Sequence, residues 1–331
     1  MKFPRIAIAA SFTLAGSAAA QPLIDDPRAT WSLLVENDSI TREDDAYSSA
    51  AVISYMSGTR EPQGFSKFLA DNLLFPRASG ELKARRGYSA GHLLYTPDDI
   101  SVAEPIPNDY PYAAVLYGDT SWALQQRNRL DIFTFEVGAV GPIALGEEVQ
   151  SFIHSVTRNV DPQGWDNQIG NELLLNLHYD LQYKMKNFEF AGKAADLVGT
   201  MNMSAGNRLT GLGGGAKVRW GSGLDQSFGP TRVRPGLTGS PFFTPTSRGS
   251  WHLFAGGDIR AVAHTIVLDN SFFRDGGPQR NSKTFVFDFQ VGGVVQRGPY
   301  QFSLTLVARS AEFEEDEERQ NFGSIALSRK F

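Results

Sequence analysis

From Leu173 to Tyr183 the chain alternates with a period of two. Leu173, Leu175, Leu177, Tyr179, Leu181 and Tyr183 fall on one face, and Asn176, His178, Asp180 and Gln182 on the other. Phe285, Phe287, Phe289 and Val291 alternate in the same way with Thr284, Asp288 and Gln290, as do Tyr300, Phe302, Leu304 and Leu306 with Gln301, Ser303 and Thr305. Alternation over about ten residues marks a strand with one apolar and one polar face. In a soluble sandwich the apolar face is the core and strands average about 5–6 residues. In a membrane barrel the apolar face meets lipid, strands run about 9–11 residues, and aromatics gather at the two interfaces. Here the strands are long, their apolar faces are rich in aromatics, and the chain ends Ile325-Ala-Leu327-Ser-Arg-Lys-Phe331. The pattern therefore predicts an all-β fold, a 12-stranded antiparallel transmembrane β-barrel with a short surface helix in an outward loop.

The twelve strands are expected near 30–38, 47–56, 86–95, 112–124, 130–140, 173–184, 196–205, 208–220, 250–268, 283–297, 299–311 and 320–331. An even count puts both termini on the periplasmic side. It also leaves two long segments there, 57–85 and 221–249, where turns are normally short. Helical spacing occurs over Gly64–Phe75 and Ile143–Thr157. In the second, Leu145, Val149, Phe152, Ile153 and Val156 recur three and four apart, giving an amphipathic helix in the longest outward loop.

Composition narrows the class. The 331 residues carry 31 Lys and Arg against 36 Asp and Glu, a net charge of −5 that argues against nucleic acid as a partner. Beyond the N-terminus no run approaches the ~18 apolar residues of a membrane helix. With no Cys, thiol catalysis, disulfides and zinc ribbons are excluded. Lys2 and Arg5, the apolar stretch Ile6–Ala15 and Ala18-Ala19-Ala20 read as a signal peptide over 1–20, leaving a single domain over 21–331.

Two groups of residues could carry chemistry. His92, His178, His252 and His264 lie within strands, where a lumen-facing position accounts for them, but His154 sits on the amphipathic surface helix. Asp161-Pro-Gln163-Gly-Trp165-Asp166 follows it, a compact turn whose tryptophan could anchor at lipid headgroups. The first hairpin sets Asn37 and Asp38 against Ser48 and Ser49, with Asp44 and Asp45 between. Such oxygen-rich surroundings suit Ca²⁺ better than a transition metal, and equally fit a hydrophilic loop with Asx turns. Gly211–Lys217 and the acidic run Glu312–Glu318 read as strand and solvated loop, respectively. By parity Asn37 shares the lipid face of Trp31, Leu33 and Val35. Ser48 falls opposite to Tyr47, Ile53 and Tyr55, so Asn37 and Ser48 share a face only if a bulge intervenes.

Four segments together resemble the lipid A 3′-O-deacylase family of outer-membrane β-barrels, in order along essentially the whole mature chain. They are Glu36-Asn37-Asp38 with Tyr47-Ser48; Tyr95-Thr-Pro-Asp-Asp-Ile100 with Pro111-Tyr112-Ala; Val149-Gln-Ser-Phe-Ile-His154 leading to Pro162-Gln-Gly-Trp-Asp-Asn-Gln168; and Phe228-Gly-Pro-Thr-Arg232 with Phe322-Gly to the C-terminus. The resemblance implies a carboxylic ester hydrolase of the bacterial outer membrane that removes an acyl or acyloxyacyl chain from lipid A of lipopolysaccharide. It implies His154 as base, Ser48 as hydroxyl donor, Asn37 and Asp38 as the paired site residues, Asp161 as the acid, and bound calcium on Asn37, Asp38 and Asp161. Ala50 stands where that family usually has Gly. Two other readings stay open: a phospholipase or lipid esterase with Ser48 as nucleophile, and a non-catalytic pore or adhesin.

Overall fold

A computed structural model of the chain describes residues 23, 25–38, 49–74, 81–237, 239–269, 271–274, 277–315 and 319–331. The predicted signal peptide lies outside these residues. Twelve strands are present among them: β1 Thr30–Asn37, β2 Ser49–Met56, β3 Lys83–Tyr95, β4 Ala113–Gln125, β5 Arg129–Val140, β6 Glu172–Phe190, β7 Lys193–Gly206, β8 Leu209–Gly221, β9 Ser250–Thr265, β10 Phe285–Arg297, β11 Tyr300–Arg309 and β12 Gln320–Lys330. Each pairs antiparallel with its neighbours in sequence, and β12 pairs with β1 to close the barrel. Helix α1 spans Phe65–Asn72 and helix α2 Gly146–Thr157.

Alternation decides which way each residue faces. On β1, Trp31, Leu33 and Val35 are exposed while Ser32, Leu34 and Glu36 are buried. On β6 the exposed set is Leu173, Leu175 and Leu177, and on β10 it is Phe285, Phe287 and Phe289. A continuous apolar exterior around a polar interior is the inverse of a soluble sandwich, and is stable only with hydrocarbon against it.

β6 and β7 run further than the pattern predicts. The pairing register shifts between Lys184 and Lys186, so the outward set passes from Tyr183 to Phe188 and Phe190 and the period of two breaks. The strands meet at Ala191-Gly192, both at positive φ (48° and 71°), the backbone a two-residue hairpin needs to match strand twist.

The long segment 222–249 between β8 and β9 is no periplasmic excursion. It folds back into the lumen, where Phe228, Leu237, Phe242 and Phe243 are fully buried. With no strand or helix among its described residues, it leaves main-chain carbonyls to be satisfied, and the barrel wall supplies donors. Lys184 Nζ donates to Leu224 O (3.0 Å), Arg219 to Ser227 O (2.9 Å), Gln182 Nε2 to Gly239 O (2.8 Å) and Arg309 to Pro235 O (3.2 Å). Arg234 in turn pairs with Asp180 of β6 at 2.8 Å.

His178, His252 and His264 face the interior as expected, but His92 does not. It lies on the outer wall of β3, its Nε2 2.7 Å from the carbonyl of Ala144 beneath the α2 loop. Glu312 also departs from the solvated-loop expectation, pairing with Arg260 and Arg309 and accepting from the Tyr110 hydroxyl at 3.0 Å.

Candidate active site at the outer wall

Helix α2 is built to lie between wall and lipid. Phe152, Ile153 and Val156 are exposed, whereas Gly146 and Gln150 are buried. Gly146, Gln150 and His154 are spaced by four, which puts the half-buried His154 on the same barrel-facing stripe. Gly146 is there because nothing larger fits: a Cβ would overlap the ring of Trp165 and the methyl of Ala114. Trp165 is buried rather than placed at headgroups. Its ring meets Tyr112 edge-on at 4.9 Å, and its Nε1 donates to Gln150 Oε1 at 2.8 Å, so it braces the helix from below. Burial pushes the Tyr112 hydroxyl up to about 12, keeping it a proton donor to the Ile100 carbonyl (3.1 Å).

The end of α2 orients the imidazole. Arg158 adopts a left-handed conformation (φ 62°), and the amide that follows, Asn159 N–H, returns to the His154 carbonyl at 3.1 Å. The reversal brings Val160 back beside the helix, its carbonyl 2.5 Å from His154 Nδ1. A carbonyl only accepts, so Nδ1 carries the hydrogen, and in the neutral ring Nε2 presents its lone pair. That orientation comes from the main chain, one residue ahead of Asp161. Asp161 itself is exposed, and its main-chain carbonyl accepts from Gln163 Nε2 at 3.0 Å.

At the top of β1, Asn37 is paired in register with Ser49, Ser49 with Leu94, and Leu94 with Ala114. This row runs along the outer wall from Asn37 to the foot of α2 across three strand spacings, roughly 14 Å. The hydroxyl sharing the outward face of Asn37 is thus that of Ser49. Ser48 lies outside the described residues, as do Asp44 and Asp45. Asp38 is buried where the chain leaves β1. Among the described residues no three His, Asp or Glu side chains cluster as a metal site. Asn37 and Asp38 provide the hard amide and carboxylate oxygens that calcium takes.

A family model described as outer membrane protein LpxR matches residues 6–331. The chain belongs to the LpxR family. Its fold is that of LpxR from Salmonella typhimurium, with a TM-score of 0.74 at 17% identity over 91% of this chain and 100% of that one. The beta domain of the Bordetella autotransporter BrkA is also similar, at a TM-score of 0.43 and 8% identity over 92% and 99% of the two chains. None of the curated protein sequences matches the chain. Family and barrel together place this LpxR-family protein in the bacterial outer membrane, in the lipid A 3′-O-deacylase family that its motifs resemble.

The sequence names three neighbours of the LpxR-family site without the roles they take here. Gln150 stands one helical turn before His154, which puts it on the same face of α2. The buried place of Trp165 and the pairing of Ser49 with Asn37 had no signal in residue type, because burial against Tyr112 and cross-strand register are set by tertiary packing.

Proposed function

We propose that the protein hydrolyses the ester of an acyl or acyloxyacyl chain on lipid A, at the 3′ position, in the outer leaflet. One observation carries the reading: His154 sits on the wall-facing stripe of an interfacial helix with its tautomer set so that Nε2 can accept a proton. The apolar face of α2, Phe152, Ile153 and Val156, would lie among acyl chains and bring the base to an insoluble substrate.

In this mechanism His154 Nε2 takes a proton from water as the water oxygen attacks the ester carbonyl. The Val160 carbonyl holds the imidazolium that forms. The Ser48 hydroxyl donates to the developing oxyanion. When the carbon–oxygen bond breaks, the imidazolium returns its proton to the departing sugar oxygen, releasing a fatty acid and a free hydroxyl. Calcium held by Asn37 and Asp38, with Asp161 as a third oxygen donor, would polarise the carbonyl. The lumen filled by residues 222–249 speaks against an open pore.

Mass spectrometry of lipid A from cells producing the wild type or His154→Ala tests this. Loss of an acyl or acyloxyacyl mass with the wild type alone is the expected result. An unchanged profile from correctly inserted wild type supplied with calcium would exclude lipid A as substrate and turn attention to phospholipids.

A further inference from the structure

Glu36, the residue before Asn37, points into the barrel while Asn37 points out. Its carboxylate accepts the Val233 main-chain N–H at 3.1 Å and lies 3.5 Å from Arg232 Nε, both side chains being 1% exposed. Val233 and Arg232 belong to the lumen segment. Arg232 continues the connection by donating to Gln290 at 3.1 Å, and it approaches Asp288 at 3.6 Å. Asp288 is gripped by both ends of the Arg309 guanidinium (2.9 and 3.0 Å), and Arg309 reaches Glu312 at 3.4 Å. The Phe322 ring is flanked by Arg232 and Arg309, at 5.2 and 5.1 Å.

From Glu312 the network reaches the other side of the site. Tyr110 donates to Glu312 and accepts from Gln320 Nε2 at 2.7 Å. Two residues on, Tyr112 supports Trp165, which holds Gln150 of α2. One set of buried charges thus touches the end of β1 and Tyr110, two residues along the chain from the Tyr112 that supports α2.

We propose that the lumen segment positions the outward-facing site, with Arg232 as the positioning residue that acts on Asn37 and Asp38 through Glu36. The inference rests on the reading of those two as site residues. Its physical basis is the rigidity of a buried ion pair in a low-dielectric interior. Removing one partner leaves a charge that must find water or move the strand, whereas removing both charges relaxes that demand.

Because the chain has no cysteine, Ser49→Cys gives a unique attachment point for a nitroxide one strand away from Asn37, and Leu177→Cys a control on the far outer wall. Spectra are compared in folded barrels, identified by their heat-modifiable mobility, for the parent, Arg232→Met, and Arg232→Met with Glu36→Gln. The expected result is a broad Ser49 spectrum that narrows in Arg232→Met and broadens again in the double variant, with Leu177 unchanged throughout. In parallel kcat falls by about 10²-fold, the scale set by a displacement of about 1 Å, while KM holds, and the double variant recovers much of that loss. An unchanged Ser49 spectrum in folded Arg232→Met, or equal loosening at Leu177, overturns the proposal. Should Arg232→Met not fold, Arg232→Lys serves in the same comparison. If the parent leaves lipid A intact the deacylase reading falls, and the spectra still decide the coupling.

Discussion

His154 and His178 sit in opposite settings, and the contrast shows which polar groups in this barrel can do chemistry. His178 lies inside, its Nδ1 2.8 Å from the Ser204 hydroxyl and its Nε2 3.3 Å from Glu136. Serine, histidine and glutamate in a row resemble a hydrolytic relay. Yet Glu136 is also held by both nitrogens of an Arg208 fork (2.5 and 2.9 Å), and both ring nitrogens of His178 are engaged. The imidazole of His154 has a single hydrogen bond among the described residues, to a main-chain carbonyl, and lies at the lipid interface. A lumen histidine with every valence used stabilises; a rim histidine with one nitrogen open can accept a proton.

The sharpest way to break this contrast is to remove each ring. His154→Ala should lower the deacylation rate by about 10²–10⁴-fold, the usual contribution of a general base. His178→Ala should leave activity nearly intact and instead lower stability by about 1–3 kcal/mol through an unsatisfied buried partner. Assays on purified barrels, paired with thermal melts, check both; comparable activity losses would erase the distinction.

Next come the two serines of the first hairpin. Ser48→Ala should cost about 10²–10³-fold as a lost oxyanion donor, with Ser49→Ala far milder. Were Ser49→Ala the costly change, the donor would be the hydroxyl that shares a face with Asn37.

A smaller effect is expected at the foot of the helix. Gly146→Val would press on Trp165 and Ala114, so α2 must lift from the wall. A drop of about tenfold to 10²-fold in kcat with an intact barrel is expected, since only the placement of the base changes; unaltered kcat would mean that the seat of α2 does not govern catalysis.

The smallest effect lies at the periplasmic rim. Asp26 accepts from Arg28 Nε at 2.9 Å and lies 3.4 Å from Lys330 Nζ, joining the chain before β1 to the end of β12. Burial alone would raise its carboxyl, but the Arg28 hydrogen bonds and the Lys330 charge hold it below the ordinary value. A lowered folded-state pKa means a stabilisation that is complete above the unfolded value of about 3.9 and is lost as pH falls through the folded one. Acid melts of wild type should therefore steepen below about pH 4 relative to Asp26→Asn. Parallel curves would show that Asp26 does not contribute.

Much of the barrel is legible in the sequence because one rule, apolar outside and polar inside, repeats along most strands. It fails where β6 bulges at Lys184–Lys186, since one extra residue inverts the parity that the rule reads. It fails again over 222–249, where Phe228, Val233, Leu237, Phe242 and Phe243 follow no period, their places being set by donors on distant strands. At the site, helical spacing picks out His154, whereas its tautomer depends on the left-handed turn at Arg158 and could not be read from residue types. The burial of Trp165 is equally invisible, because the same residue type serves at membrane interfaces and in cores.

The Val233–Glu36 bond joins residues 197 apart in the chain, and its partners lie on the lumen segment and on the first strand. Contacts of such separation form late, after loop-closure entropy has been met by others. Here the contact also ties the inside of the barrel to its seam, because Glu36 lies on the strand that pairs with β12 to close the cylinder. A seam closed two residues out of register would still satisfy apolar-out and polar-in, yet it would carry Glu36 away from Val233 and Arg232. A stranded buried charge of that kind typically costs about 3–5 kcal/mol. The lumen segment thus penalises a mis-zipped cylinder that the strands alone would accept.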